Sequence, residues 1–489
     1  MSNTCATGSL DNIDQIRAQA PALHALGVCA TCILRSAQVP LGPAYFGTTD
    51  SIHQALHLPP PSLPSLSTPV PCPICLDTLS AAIHSQITTA YIAECFDSPT
   101  LCITIEFPKS IYIRQRSLAI HTGRAPVDIK DTVKYVLGNR LYQQTDNRVR
   151  IENETGEVRV EVGFKHEETA MEHQFLVDRE GSGIKTKTFR KKGVYHTTGD
   201  SKTAILDELD NCGDAVIREK FASPPPAIKL PVELDFLNFK RPSLFIGGRY
   251  LKLERNISQT PFVIDGRRVT ELSVSEVIGE PIQKLVRCDA YNLVGSGRED
   301  ADVRMLGDGR PFYLECINPR IKSIAPEAVS EIENQLRETK CPVQVRRLQV
   351  IQAAATSIIK EGEEQKTKHY CALVWFARPL DETTLCEINR LGEAPLVLQQ
   401  KTPLRVLHRR APLTREKTLV GLQVAHIEGH FYRVRIESEA GTYIKEFVHG
   451  DIGRTTPSLS SLAGNITADI IELDVENVSL DFPPASLKQ

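Results

Sequence analysis

Two groups of residues in this 489-residue chain have the types and spacing of reactive side chains: four cysteines near the N-terminus and one carboxylate in a glycine-rich segment. Cys29-x2-Cys32 in GVCATCI and Cys72-x2-Cys75 in PCPICLD are two short knuckles separated by 39 residues. Each knuckle presents two thiolates to one side, and two knuckles together form the expected donor set of one tetrahedral Zn²⁺. Four protein ligands leave no open coordination position, so such a zinc is structural. A redox dithiol in one of the pairs is the competing reading, kept open by the long proline-rich spacer. Cys95, Cys102 and Cys288 lack this pairing and read as core residues.

In AYNLVGSGREDADVRMLGDGRPF, Gly295 and Gly297 immediately precede Arg298-Glu299-Asp300. Glycine lets the backbone turn tightly and approach a ligand. A carboxylate at Asp300, beside Arg298 and Arg304, would be held ionised at neutral pH. A solvated Asp-Arg surface turn has the same local chemistry, so the segment alone does not separate the two readings.

The composition limits the partners. With 57 Lys+Arg against 60 Asp+Glu, the net charge of -3 gives no global attraction to a polyanion, and nucleic-acid binding must come from local patches. LRVLHRRAPLTREK supplies Arg405, His408, Arg409, Arg410, Arg415 and Lys417; KTKTFRKKGVYH supplies Lys185, Lys187, Arg190, Lys191 and Lys192. Arg249, Lys252 and Arg255 form a third group that could line an RNA path. For each, a solvated charged face is the alternative. No apolar run approaches the roughly 20 residues that span a bilayer, and the N-terminus lacks a signal-peptide pattern. An intracellular protein of nucleus and/or cytoplasm, with no membrane partner, is expected, and its 13 cysteines read as free thiols and metal ligands.

These groups need elements to position them. Proline-rich stretches at 59–71 and 223–231 read as extended connectors, the second as the main boundary between about 223 and 240. LCITIEF (101–107) and VRVEVGF (158–164) alternate as half-buried strands, and DIKDTVKYVLG (128–138) puts Ile129, Val133, Val136 and Leu137 on a helical face that ends at a glycine. Beyond the boundary, DVRML-GDG-RPFYLECI and LVGLQVAHI-EG-HFYRVRIE read as hairpins, with PEAVSEIENQLRE as a helix between them. An α+β chain with a large, mostly antiparallel C-terminal sheet follows. No GxGxxG-bearing strand-turn-helix unit or phosphate-binding glycine loop is present.

Five blocks carry a resemblance across 241–489: IGGRYLKLERNISQTPFVIDG, GSGREDADVRMLGDGRPF, EGEEQKTKHYCALVW, QQKTPLRVLHRR and AGTYIKEFVHGDIGRTTPSL. In this order they resemble the THUMP-containing tRNA pseudouridine synthases of archaea and eukaryotes, the "Pus-ten" type. The resemblance implies a pseudouridine synthase fold over 241–489, preceded over 1–235 by an accessory RNA-binding domain with the four-cysteine zinc site and a THUMP-like region. It implies that Asp300 is the nucleophile, with Asp302 its nearest competitor, and that no external cofactor is needed. It further implies that Tyr370 packs on the target base, that Lys445 pairs with the aspartate, and that Tyr443 and Ile444 form the pocket wall. By local chemistry alone Tyr370 reads as a core strand residue and Lys445 as a solvated charge. One departure stands out: where the family commonly has R-x-L-P-Q-T-P-W, this chain reads Arg255-Asn256-Ile257-Ser258-Gln259-Thr260-Pro261-Phe262.

The expected activity is isomerisation of uridine in the TΨC arm of tRNA, at positions 54 and/or 55, with other structured RNAs as further candidate partners. An RNA-binding protein in which catalysis is secondary is the alternative from another class. A THUMP-bearing thiolation or methylation enzyme would need nucleotide or methyl-donor loops that the sequence lacks.

Overall fold

A computed structural model describes residues 11–46, 52–54, 56, 70–185, 187–191, 194–198, 200–365, 367–408 and 410–484. The chain forms two compact units, 1–241 and 242–489. No helix among the described residues is long and apolar enough to cross a membrane.

In the N-terminal unit, strand β1 (Thr100–Glu106) buries Leu101, Ile103 and Ile105, the alternation read from sequence. It lies parallel to β2 (Arg150–Ile151) and to β3 (Val158–Lys165). β6 (Glu233–Lys240) pairs antiparallel with β3 and closes a four-stranded sheet in the order β2-β1-β3-β6. A separate hairpin, β4 (Lys187–Lys191) with β5 (Val194–Thr198), holds most of the KTKTFRKKGVYH run; Lys192 lies outside the described residues.

Two local expectations change here. The helix that starts at Ile129 runs through Gly138 to Gln144, capped by Asp128, whose carboxylate accepts from Asp131 N (3.0 Å). Gly138 marks a close approach instead of a stop: a Cβ there would lie 2.8 Å from Ile151 Cδ1. The stretch 223–231 is not a free connector either. Arg114 Nη1 donates to Pro226 O (2.9 Å), Val232 N donates to Leu76 O (2.8 Å), and Ile228 is buried. Residues 59–69 of the earlier proline-rich stretch lie outside the described residues.

The C-terminal unit is built on a ten-stranded sheet. Its strands are β7 (Leu244–Lys252), β10 (Ala290–Gly295), β11 (Arg304–Ile317), β12 (Val343–Ile351), β13 (Lys368–Phe376), β14 (Leu396–Lys401), β15 (Thr414–Glu428), β16 (Phe431–Ser438), β17 (Thr455–Thr456) and β18 (Ala468–Val478). They run in the order β12-β7-β11-β18-β13-β16-β15-β14-β17, with β10 also on β11. Pairing is antiparallel except for a two-residue parallel contact of β11 with β18. Off this sheet, β8 (Val263–Ile264) and β9 (Arg267–Arg268) form a small hairpin.

The β15–β16 hairpin turns at Gly429, as its sequence suggests. The GDG segment does not turn. β11 continues through it, and the register on β7 slips between Met305 and Arg310, a bulge. Gly307 and Gly309 are required by crowding: a Cβ would lie 2.0 Å from Glu476 O and 2.6 Å from Tyr250 O respectively. The helix Pro326–Glu338 packs Val329 and Ile332 into the main core.

Candidate active site

Asp300 follows the end of β10, in the segment that leads to β11. Gly297 has φ +85°, and a Cβ on it would lie 2.7 Å from Lys368 Nζ, so only glycine fits without displacing that amine. Under the segment lies a buried polar group. Glu299, with 1% of its side chain exposed, accepts from Arg310 Nε (2.7 Å) and from the Tyr250 hydroxyl (2.9 and 3.0 Å). Arg310 Nη1 donates to Ser296 O (2.7 Å), and Gln259 Nε2 donates to Gly297 O (3.1 Å) and Tyr250 Oη (3.0 Å). Lys252 Nζ, fully buried, donates to Ile257 O (2.8 Å), Asp300 O (2.9 Å) and Ala301 O (3.3 Å). Burial pushes the Lys252 pKa down while Glu299 pulls it up, with a net lowering.

Arg249, Lys252 and Arg255 therefore do not line an RNA path. Arg249 is buried and donates to carbonyls of Asp308, Gly309, Val478, Leu480 and Phe482. Arg255 donates to Asp302 O and Leu473 O and pairs with Glu472 and Asp474. Guanidinium and ammonium donors already committed this way have nothing left to give a phosphate.

The Asp300 side chain, 39% exposed, lies on the wall of a cavity of about 530 Å³. Arg405 Nη1 stands 3.1 Å from its Oδ2 and Lys445 Nζ 3.3 Å from the same oxygen. The cations beside this carboxylate thus come from distant, downstream parts of the chain. Arg298 is exposed on the cavity wall, whereas Arg304 turns away to a two-pronged pair with Asp474 (2.9 and 2.6 Å). Asp302 is off the cavity wall and receives two bonds from Lys445 Nζ (2.9 and 2.7 Å). Burial works to raise its pKa, but those bonds outweigh it and the carboxyl titrates below the usual range.

Each partner has its own support. Lys445 is the second residue of the helix Ile444–His449, entered from Tyr443. The Gln400 amide fixes that entry, donating to Tyr443 O (3.0 Å) and accepting from Tyr443 N (2.9 Å). Arg405 sits on the 3-10 turn Leu404–Val406, its Nε held by the buried Glu446 (2.7 Å). Tyr370 lies on β13 and lines the same cavity; burial pushes its hydroxyl pKa up, Arg310 pulls it down and Glu299 adds to the rise. Tyr443, Ile444 and Arg410 complete this side of the wall, with Arg410 Nη1 3.5 Å from the Tyr443 hydroxyl. Phe262, at the position of the family's tryptophan, also lines the cavity. His408 is exposed and off the wall; Arg409 lies outside the described residues. Gln259, Glu299, Arg310, Gln400 and Glu446 were not singled out as functional from sequence. All five lie inside the blocks that carry the resemblance, which is the signal that could have pointed to them.

In the N-terminal unit, the ligand atoms of Cys29, Cys32, Cys72 and Cys75 all lie within 4.8 Å of one another. Cys29 Sγ and Cys75 Sγ are 3.8 Å apart. Tetrahedral Zn²⁺ with Zn–S bonds of about 2.3 Å sets its sulfurs about 3.8 Å apart, so the donor set fits. Cys29 N donates to Cys72 Sγ (3.3 Å), and the Asp77 carboxylate braces the second knuckle by accepting from Cys72 N (2.8 Å). The cluster could bind a metal.

Two family profiles match the chain: "Pus10, C-terminal" over 245–479 and "Eukaryotic Pus10, N-terminal" over 72–235. A mouse protein named tRNA pseudouridine synthase Pus10 is 34% identical over 434 residues, spanning 85% of this chain and 79% of the relative. The chain belongs to the Pus10 family. An Archaeoglobus fulgidus protein of the same name is 38% identical over 269 residues, covering 52% of this chain and 72% of its own. Among solved structures, a Cbf5-Nop10-Gar1 complex aligns over 47% of this chain and 48% of its own at 18% identity and a TM-score of 0.27. As a Pus10 family member the chain is an isomerase, with a pseudouridine synthase fold in its C-terminal unit.

Proposed function

We propose that the chain isomerises uridine to pseudouridine in the TΨC arm of tRNA, at positions 54 and/or 55, with Asp300 as the nucleophile. The observation that carries this is the placement of Asp300: a half-exposed carboxylate on a cavity wall, flanked by Arg405 at 3.1 Å and Lys445 at 3.3 Å, with Tyr370 on the same wall. Two cations hold the carboxylate in place on the cavity wall. The carboxylate attacks C1′ of the ribose, breaking the bond to N1, or adds to the uracil ring. The uracil turns and C5 bonds to C1′: on the first route this displaces the carboxylate from C1′, and on the second the C1′–N1 bond breaks first and the carboxylate is then eliminated from the ring. C5 loses its proton and N1 gains one, so the nucleotide is isomerised with no redox change.

Tyr370 stacks on the uracil and its hydroxyl lies on the side from which the C5 proton leaves. Tyr443 and Ile444 wall the base in, and Arg298, Arg405 and Arg410 meet phosphates of the opened backbone. The N-terminal unit serves as a THUMP-type RNA-holding domain with Cys29, Cys32, Cys72 and Cys75 on one structural zinc. Exposed Lys185 offers it a phosphate contact.

The test is chemical mapping of pseudouridine in an unmodified tRNA transcript after incubation with wild-type protein, Asp300→Ala and Asp302→Ala. Asp300→Ala is expected to abolish turnover and Asp302→Ala to reduce it. Full activity in Asp300→Ala removes the assignment, and loss confined to Asp302→Ala transfers the chemistry to that carboxylate.

A further inference from the structure

The helix that carries Lys445 ends in an unusual turn. Gly450, Asp451, Ile452 and Gly453 all have positive φ, at 82°, 45°, 54° and 74°. For a β-branched residue this backbone is a genuine outlier, because Cβ and its branches crowd the neighbouring carbonyl. Yet isoleucine stands there, 89% exposed, more than any other large apolar side chain among the described residues.

The turn is held firmly. Gly450 N donates to Glu446 O (2.8 Å), Arg454 N to Asp451 O (3.1 Å) and Thr455 N to Gly450 O (3.1 Å). It is also locked to the segment that supplies Arg405. The Asp451 carboxylate accepts from Leu404 N (3.2 Å), and Arg454 Nη2 donates to Thr402 O (2.6 Å). Leu404, itself 45% exposed, is the immediate neighbour of the arginine on Asp300. Backbone strain that the surroundings over-determine is a mark of functional sites. Water and backbone both disfavour this isoleucine, so a partner that covers it would offset both.

The chemistry of the neighbourhood selects the partner. A protein interface needs about 800 Å² on each side with an apolar centre. Here the Ile452 turn is bonded to the Leu404 backbone, next in the chain to the arginine on Asp300, so two exposed apolar side chains adjoin a cation, a pattern suited to a polyanion with flat apolar faces.

We propose that Ile452, supported by Leu404, is a wedge that enters the RNA base stack next to the extruded uridine and takes the place of its stacking partner. Apolar side chains inserted between base steps unstack them, and an emptied stack needs a filler to stay open. The proposal rests on the reading that this chain acts on a uridine within folded RNA. Ile452 is a positioning residue: it touches a neighbouring base, not the reacting atoms.

The test uses full-length protein with two RNAs, the unmodified tRNA transcript and the same transcript with abasic sites flanking the target uridine, so that no stack remains to be opened. Each buried methylene is worth roughly fourfold, so Ile452→Ala, which removes three carbons, is expected to lower kcat/KM on the intact transcript by up to about 60-fold. On the abasic transcript it should equal wild type, and Ile452→Met should restore most of the loss on the intact one. Ile452→Gly, which relieves the backbone, should lose activity like the alanine variant while its Tm stays at or above wild type, separating wedge from fold. Equal activity of wild type and Ile452→Ala on the intact transcript overturns the wedge, as does an equal loss on both RNAs. Asp300→Ala, run in parallel, is inactive on both if the parent reading holds; activity there sinks that reading without reference to Ile452.

Discussion

The two units each gather charge-bearing groups at one point and handle them oppositely. In the N-terminal unit the four cysteine ligand atoms lie within 4.8 Å of each other, with Cys32, Cys72 and Cys75 buried. In the C-terminal unit Asp300 keeps 39% of its side chain exposed on an open cavity, while Glu299 and Lys252 next to it are sealed in the core. A closed donor set satisfies itself and can only hold structure. An open one has its supporting charges buried and its working charge left in reach of substrate. Adjacent acidic residues in GRED thus have opposite fates: Glu299 faces the interior and Asp300 the cavity.

That contrast can be broken by mutation. The largest expected effect is in the closed site: Cys72→Ser should abolish the proposed zinc binding and strongly destabilise the N-terminal unit, read as lost metal stoichiometry and faster hydrogen exchange of its amides. Unchanged zinc content would exclude Cys72 as a ligand. Next comes the buried ion group. Arg310→Met removes the nearest cation from Glu299, leaving it only Lys252 Nζ at 3.8 Å and the Tyr250 hydroxyl, and should cost about 3 kcal/mol in denaturant unfolding of the C-terminal unit. Adding Glu299→Gln should recover most of that loss; a double variant no more stable than Arg310→Met would show that the buried charge is not the cause.

The smallest effect sharpens the comparison through pH. Burial lowers the His84 pKa to about 4, Arg140 adds to the lowering, and the ring's bond to Thr78 O opposes both. A folded-state pKa below the unfolded value of 6.5 means that the unfolded chain binds the extra proton first. Stability should be full above about 6.5 and fall as pH drops towards about 4, by about 3 kcal/mol at most. His84→Gln should flatten that slope in the N-terminal unit; an unchanged slope would assign the acid sensitivity elsewhere.

Much of this organisation was legible in the residues. Alternation located β1 and β3, and the EG dipeptide located the β15–β16 turn, because these signals are local. The GDG segment was misread as a turn for the same reason: glycine's positive φ serves a turn and a bulge equally. Only the neighbouring strand, where a Cβ would strike Glu476 O or Tyr250 O, decides between them. Gly138 is a parallel case, a glycine required by Ile151 and not by a helix end.

Residue types and spacing were enough to say which groups could react: the CxxC pairs, the carboxylate of GRED, and the family blocks that bring Tyr370 and Lys445 into consideration. They did not say who stands beside whom. Arg298 and Arg304 are the near neighbours of Asp300 in the chain, but one is exposed on the cavity wall and the other pairs with Asp474, while Arg405 and Lys445 arrive from a distant turn and helix. Charge–charge interaction depends on separation in space, so only the folded chain could choose the partners of Asp300, bury Lys252 under its backbone, and leave Ile452 exposed at the end of the Lys445 helix.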